Sequence, residues 1–197
     1  MTTFIRRTIF LLILPMLALL AATGQSVTLI RNESRVTISG TSSLHDWHEN
    51  AGDFKITLVM KTQDGASGVI EKVSFICKSA SVTSDNSLMT DKTHNALQVD
   101  KYPEISFISD LPSPAVISVG DFSATVTGDL KLNGVTKPVS LSLKGSLSGD
   151  KLSVQGSQSL KMSDFQIKSP TAMLGTLKTG DEVTVFFDLK FDISNIN

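Results

Sequence analysis

His45, Asp46 and His48 lie within GTSSLHDWHEN (40–50), and they are the group whose residue types read as acid–base or metal chemistry. Imidazole nitrogens ligate zinc and move protons near neutral pH. The spacing limits what they can do. On a strand, His45 and His48 point to opposite faces, because an odd separation flips the side chain. In a turn they could converge, with Glu49 and Asp53 the nearby carboxylates that would complete a zinc set. That set is incomplete, and exposed polar residues beside a turn are the plainer reading. His94 stands alone, as a rim residue or an exposed one. Cys77 is the single cysteine, so it has no partner for an internal disulfide. Placed between Val73, Phe75 and Ala80, it reads as a small buried apolar residue rather than a nucleophile. Trp47 and Tyr102 are also single. Trp47 offers a large apolar face and one N–H donor, suited to closing a core or to gripping a ligand. There is no GxSxG elbow, no glycine-rich phosphate loop after a strand and no Cys/His metal spacing. No cofactor or metal is expected.

Composition narrows the partners. The 197 residues carry 18 basic and 19 acidic side chains. Arg6 and Arg7 precede an apolar run over 9–22, and Ala22-Thr23-Gly24 supplies small residues where a signal peptidase reads. The run is about 14 residues, short of the ~20 that span a bilayer. The expectation is therefore a signal peptide over 1–24, a single domain over 25–197, and a periplasmic or secreted protein with no membrane anchor. No cysteine follows the run to accept a lipid. Without Arg6 and Arg7 the balance is 16 basic against 19 acidic residues, a net charge of −3. That gives no reason to expect nucleic acid as a partner.

The elements that must position these residues are strands. In GDLKLNGVTKPVSLSL (128–143), Leu130 and Leu132 alternate with polar neighbours, as do Val139, Leu141 and Leu143, across Asn133-Gly134. A period of two places one apolar face on each arm, and Asn-Gly suits the positive φ of a tight turn. Here Gly134→Val is expected to hurt and Asn133→Asp to be mild, while Thr136–Pro138 lengthen the loop or lie on a strand edge. Further strand signals fall at 27–30, 35–39, 54–60, 73–77, 105–107, 122–126, 152–154, 160–162 and 183–191. Turn residues at 63–68 separate two of them. Short strands at this spacing predict an all-β fold, an antiparallel barrel or sandwich. Two stretches break the pattern. Residues 84–99 predict a helix of two to three turns, with Met89, Thr93, Ala96 and Leu97 on one stripe and Ser84 or Asp85 as cap. Residues 169–178 (SPTAMLGTLK) predict a Pro/Gly-punctuated loop with a helical turn near 172–174.

GTSSLHDW (40–47), ALQVDKYPEISF (96–107), VTGDLKLNGVTKPVSLSL (126–143) and KMSDFQIKSPTAMLGTLKTGDEVTVFFDLKF (161–191) together resemble the YceI-like proteins. The match covers nearly the whole chain after residue 24, in order. The chain resembles the branch that carries the HDW phrase and the SPTAMLG loop, with Gln98-Val99 where better-known members carry an aromatic pair. The resemblance implies an exported lipocalin-like β-barrel of about eight strands, one short helix near 86–98 and an apolar channel. It implies a non-catalytic binding protein for a polyisoprenoid or similar long-chain amphiphile. The inward faces nominate Phe54, Ile56, Leu58, Phe75, Phe107, Val126, Leu141, Val185 and Phe187 as channel lining. A barrel of this size can also be filled by its own side chains, giving an interaction or stress-related structural protein. The third reading is a hydrolase or isomerase built on His45, Asp46 and His48.

Overall fold

The computed structural model describes residues 25–63, 67–172 and 176–194. The expected signal peptide, residues 64–66 of the expected 63–68 turn and residues 173–175 of the 169–178 loop lie outside the described residues, while Gln63, Ser67 and Gly68 are strand. The strands are β1 (Gln25–Leu29), β2 (Arg35–Ser42), β3 (Trp47–Ala51), β4 (Phe54–Gln63), β5 (Ser67–Lys78) and β6 (Val82–Thr83), followed by helix α1 (Ser87–Leu97). Then come β7 (Glu104–Ser118), β8 (Gly120–Leu132), β9 (Val135–Ser148), β10 (Lys151–Lys161), β11 (Thr171–Ala172) and β12 (Leu177–Asp192). Antiparallel ladders join β1, β4, β5, β7, β8, β9, β10 and β12 in that order, and Thr28↔Asp192 and Leu29↔Phe191 close the ring back to β1. Among the described residues this is the closed eight-stranded lipocalin-like barrel with one short helix that the resemblance implies.

β1 with β2, and β3 with β4, act as two bent ribbons. β1 pairs with β4 at Val27↔Leu58, and β2 pairs with β3 at Ile38↔Glu49. Between them the first ribbon makes a 3-10 turn at Arg31–Glu33, and the second breaks at Gly52 and Asp53. Arg31 bridges the two breaks. Its guanidinium carbon sits 4.0 Å from the centre of the Phe54 ring, and it donates to the Gly52 carbonyl. Beyond the breaks, β2 runs along the edge of β12 while β3 carries β6 outward, which makes a flared wall on which α1 rests.

The hairpin at Asn133-Gly134 forms as its sequence requires, with φ of 49° and 76° at the two turn residues. The adjoining residues Thr136–Pro138 extend β9 and pair with Lys131, Leu130 and Asp129 of β8. Only 143–148 of β9 pairs with β10, so the proline lies where β9 has no ladder partner on its second edge. A residue without an N–H fits such a position. Several boundaries differ from the sequence reading. The helix starts later, capped by Asn86, whose side chain accepts from the Met89 N–H at 3.3 Å. Met162 leaves the strand and begins a 3-10 turn, Met162–Phe165. Of the two conformations left open for the stretch around His48, pairing with β2 selects the strand, Trp47–Ala51. Among the described residues, no helix is long and apolar enough to cross a membrane.

The interior is uneven. At the end bearing the β9–β10 turn, Met60, Ile70, Ile117 and Leu152 are each at most 1% exposed and fill the barrel. At the opposite end, α1, the Asn133-Gly134 hairpin and Met162–Phe165 gather. A second small core of Met162, Phe165 and Ile167 packs there against Ala96, Leu97 and Leu130.

Candidate functional site: a cavity beneath the helix

Between the filled end and the helix the barrel is hollow. The cavity measures about 600 Å³, and most of the side chains around it are aliphatic or aromatic. A space of this size falls within the ~300–1,000 Å³ of typical small-ligand sites. The wall shows the hollowness residue by residue. Ile56, Val73, Phe75, Leu130, Val139, Leu141, Val185 and Phe187 are inward-facing apolar side chains, yet all are only half-buried. In a solid core, alternate residues of a strand would be fully covered on that face.

Eight of the nine nominated residues stand on this wall: Ile56, Leu58, Phe75, Phe107, Val126, Leu141, Val185 and Phe187. The strand ladders bring them together. Ile56 pairs with Phe75, Phe75 with Phe107, and Val126 with Leu141. Phe54 does not reach the cavity. It shares the inward face of β4, but it sits at the ribbon break, 4% exposed, under Arg31 and with its ring 5.8 Å from that of Phe75. It supports the wall from behind.

β3 contributes what the sequence reading missed. Its alternation turns Trp47, Glu49 and Ala51 inward and leaves His48 and Asn50 exposed. Trp47 lies against Gly40, its cross-strand neighbour, where a Cβ would fall 2.4 Å from the indole, and its Nε1 donates to the Thr41 carbonyl at 3.1 Å. Glu49 is a carboxyl group 2% exposed in an otherwise apolar wall. Thr93 of α1 donates its hydroxyl to Glu49 Oε1 at 2.5 Å. Burial pushes the Glu49 pKa above the ordinary 4.5, against smaller opposing effects of the Thr93 hydrogen bond and of His94. The signal was legible in one respect: a strand over 47–51 places its glutamate on the face shared with Trp47 and Ala51. No strand signal marks 47–51 in the sequence, and that hid it.

The helix stripe expected from the sequence, Met89, Thr93, Ala96 and Leu97, forms part of the cavity roof. His94 is neither a rim residue nor free, since its Nε2 bonds the Val82 carbonyl at 3.0 Å and ties α1 to β6. Cys77 is buried on the wall, and burial raises its pKa, which keeps the thiol protonated and inert as its apolar setting predicts. His45, Asp46 and His48 do not converge. His45 sits exposed in the β2–β3 turn with Nδ1 2.7 Å from the Asp46 carbonyl, and His48 points out from β3. No group of three or more metal-ligating side chains occurs among the described residues.

The cavity mouth is built from the same turn and from α1. Leu44 and Leu88 are 67% and 63% exposed there, and Lys92 Nζ donates to the Thr171 carbonyl at 2.8 Å.

A closed antiparallel barrel, filled at one end and hollow under α1, has the architecture of a lipocalin-like barrel. Residues 28–191 match the family model described as the YceI-like domain, so the chain belongs to that family. Among relatives, a UPF0312 protein of Pseudomonas putida is 37% identical over 124 residues, 59% of this chain and 62% of that protein. The chain thus aligns with under two thirds of that relative's length. Two solved structures share the fold. BcnA of Burkholderia cenocepacia is 19% identical, with a TM-score of 0.62 over 82% of this chain and 98% of that one. A polyisoprenoid binding domain from Saccharophagus degradans, implicated in plant cell wall breakdown, is 15% identical. Its TM-score is 0.62 over 85% of this chain and 97% of that one.

Proposed function

We propose that this protein is a non-catalytic carrier that holds a long-chain amphiphile, of the polyisoprenoid type, in the cavity beneath α1, and that it works in the periplasm or outside the cell. The observation that carries the reading is the ring of inward-facing, half-buried apolar side chains around about 600 Å³ of space. Each methylene taken from water into such a wall contributes about 0.8 kcal/mol, so a chain of isoprene units gains affinity from shape and dryness alone. Binding of this kind requires no catalytic group, and the acid–base candidates read from the sequence, His45, Asp46 and His48, are splayed. Family membership and the likeness to a polyisoprenoid binding domain support the same reading.

The test is uptake of a fluorescent polyprenyl probe by the delipidated protein. The wild type is expected to bind it saturably. Leu141→Trp, which adds bulk on the wall opposite open space rather than into a packed core, is expected to remain folded and lose uptake. A wild type that binds no apolar chain, together with a Leu141→Trp variant that fails to fold, would establish a filled barrel instead.

A further inference from the structure

We infer that the Glu49 carboxyl is the head-group anchor of the cavity, selecting a long-chain ligand that ends in a hydrogen-bond donor, an alcohol or an amine, over one that ends in phosphate or carboxylate. The inference rests on the carrier reading above. Glu49 is placed by the alternation of β3, between Trp47 and Ala51 on the cavity side. Its cross-strand neighbour on β2 is Ile38, and the groups that face it from α1 are Thr93 and His94. The imidazole Nε2 is already engaged with the Val82 carbonyl, and among the described residues no lysine or arginine forms an ion pair with the carboxyl. Lys92, on the same helix, directs its ammonium away to Thr171.

A buried carboxyl with one hydroxyl donor and no cation is costly, and an apolar residue of similar size would stabilise the wall better. As a purely structural tie between β3 and α1, the Thr93 bond is a weak reason to keep it. A carboxyl offers two oxygens and about four acceptor sites, of which Thr93 uses one. An arriving hydroxyl or ammonium would supply the missing donor at a dry position, where such a bond counts most. A phosphate or carboxylate head would meet like charge there and be rejected.

Three C20 probes of one chain separate the cases: geranylgeraniol, its methyl ether and geranylgeranyl phosphate, each measured by displacement of the fluorescent probe. Wild type is expected to bind the alcohol at least about tenfold more tightly than the ether or the phosphate. Glu49→Gln keeps an acceptor for Thr93 and removes the charge, so the alcohol-over-phosphate ratio is expected to fall about tenfold while melting stays cooperative. Equal binding of the three heads by wild type, or an unchanged ratio in Glu49→Gln, overturns the anchor and leaves the carrier reading standing. Failure of wild type to bind any of the three chains overturns both.

Discussion

Among the described residues, Glu49 carries the one buried carboxyl group, and burial gives it a pH signature of its own. Its pKa in the folded chain is raised from 4.5, whereas in the unfolded chain the group is solvated and ordinary. Well below the ordinary value of 4.5 both states are protonated, and the group imposes no penalty. As pH rises from there, the unfolded chain releases its proton first. The folded chain binds more protons, so stability falls until the folded carboxyl also ionises. Glu49→Gln has no proton to lose. The difference in unfolding temperature between Glu49→Gln and wild type is therefore expected to grow in favour of the variant from pH 4 to pH 7. Melts across that range would check it, and a difference that stays flat would mean the carboxyl is solvated. Neither Asp53 nor Lys78 has a comparable effect. Their ion pair at 2.6 Å is open to solvent, although it lowers the pKa of Asp53 and raises that of Lys78.

The hairpin between β8 and β9 carries more than a turn, and this changes what its substitutions should do. Gly134 has φ of 76°, and a Cβ there would fall 2.5 Å from the Tyr102 ring. Gly134→Val is expected to lower the melting temperature sharply, because strain and collision act together. Asn133→Asp, mild on turn chemistry alone, is expected to be severe as well. The Asn133 amide donates to the carbonyls of Phe165 and Gln166 at 3.1 and 3.3 Å, while its oxygen accepts from Gln98. An aspartate would aim a carboxylate at two carbonyls in a site 5% exposed, at a cost of about 1–3 kcal/mol or more. Thermal melts of the two variants check both statements, and a wild-type midpoint for Asn133→Asp would show the amide contacts to be dispensable. The contrast also marks what the sequence could convey. Local alternation and Asn-Gly specify strands and turn, because their physics is contained in a few neighbouring residues. The partners of Asn133, 32 and 33 positions away, do not appear in any local pattern. Glu49 was hidden for a related reason. Its inward direction depends on β3 pairing with β2, while the composition of 45–50 favours a turn. The wall residues of β4, β5, β8 and β12 were legible because each strand states its own inward face. Phe54 has the right parity, and only the ribbon break beneath Arg31 removes it from the cavity.

At the scale of the whole molecule, a barrel solid at one end and hollow at the other should tolerate truncation unevenly. Phe187 pairs with Gly156 on β10 and Val36 on β2, and it faces the cavity half-buried. In a filled core Phe→Ala costs about 3–5 kcal/mol, much of it for the void created. Here part of the void exists already, so Phe187→Ala is expected to cost less than that in the ligand-free protein and to weaken probe uptake. Chemical denaturation of the delipidated protein provides the comparison, and a full-sized loss would place Phe187 in a packed core. The closed ring has a further consequence, for the route by which the chain acquires its shape. Consecutive hairpins such as β8–β9 form from neighbours, but the seam at Thr28↔Asp192 and Leu29↔Phe191 joins opposite ends of the described chain through two residue pairs. Long-range pairings are entropically slow to form. Before β12 pairs with β1 and β2 its outer edge is open, and unpaired strand edges promote self-association. The pairs that complete the wall are thus also the ones that leave β12 no edge open to a second chain.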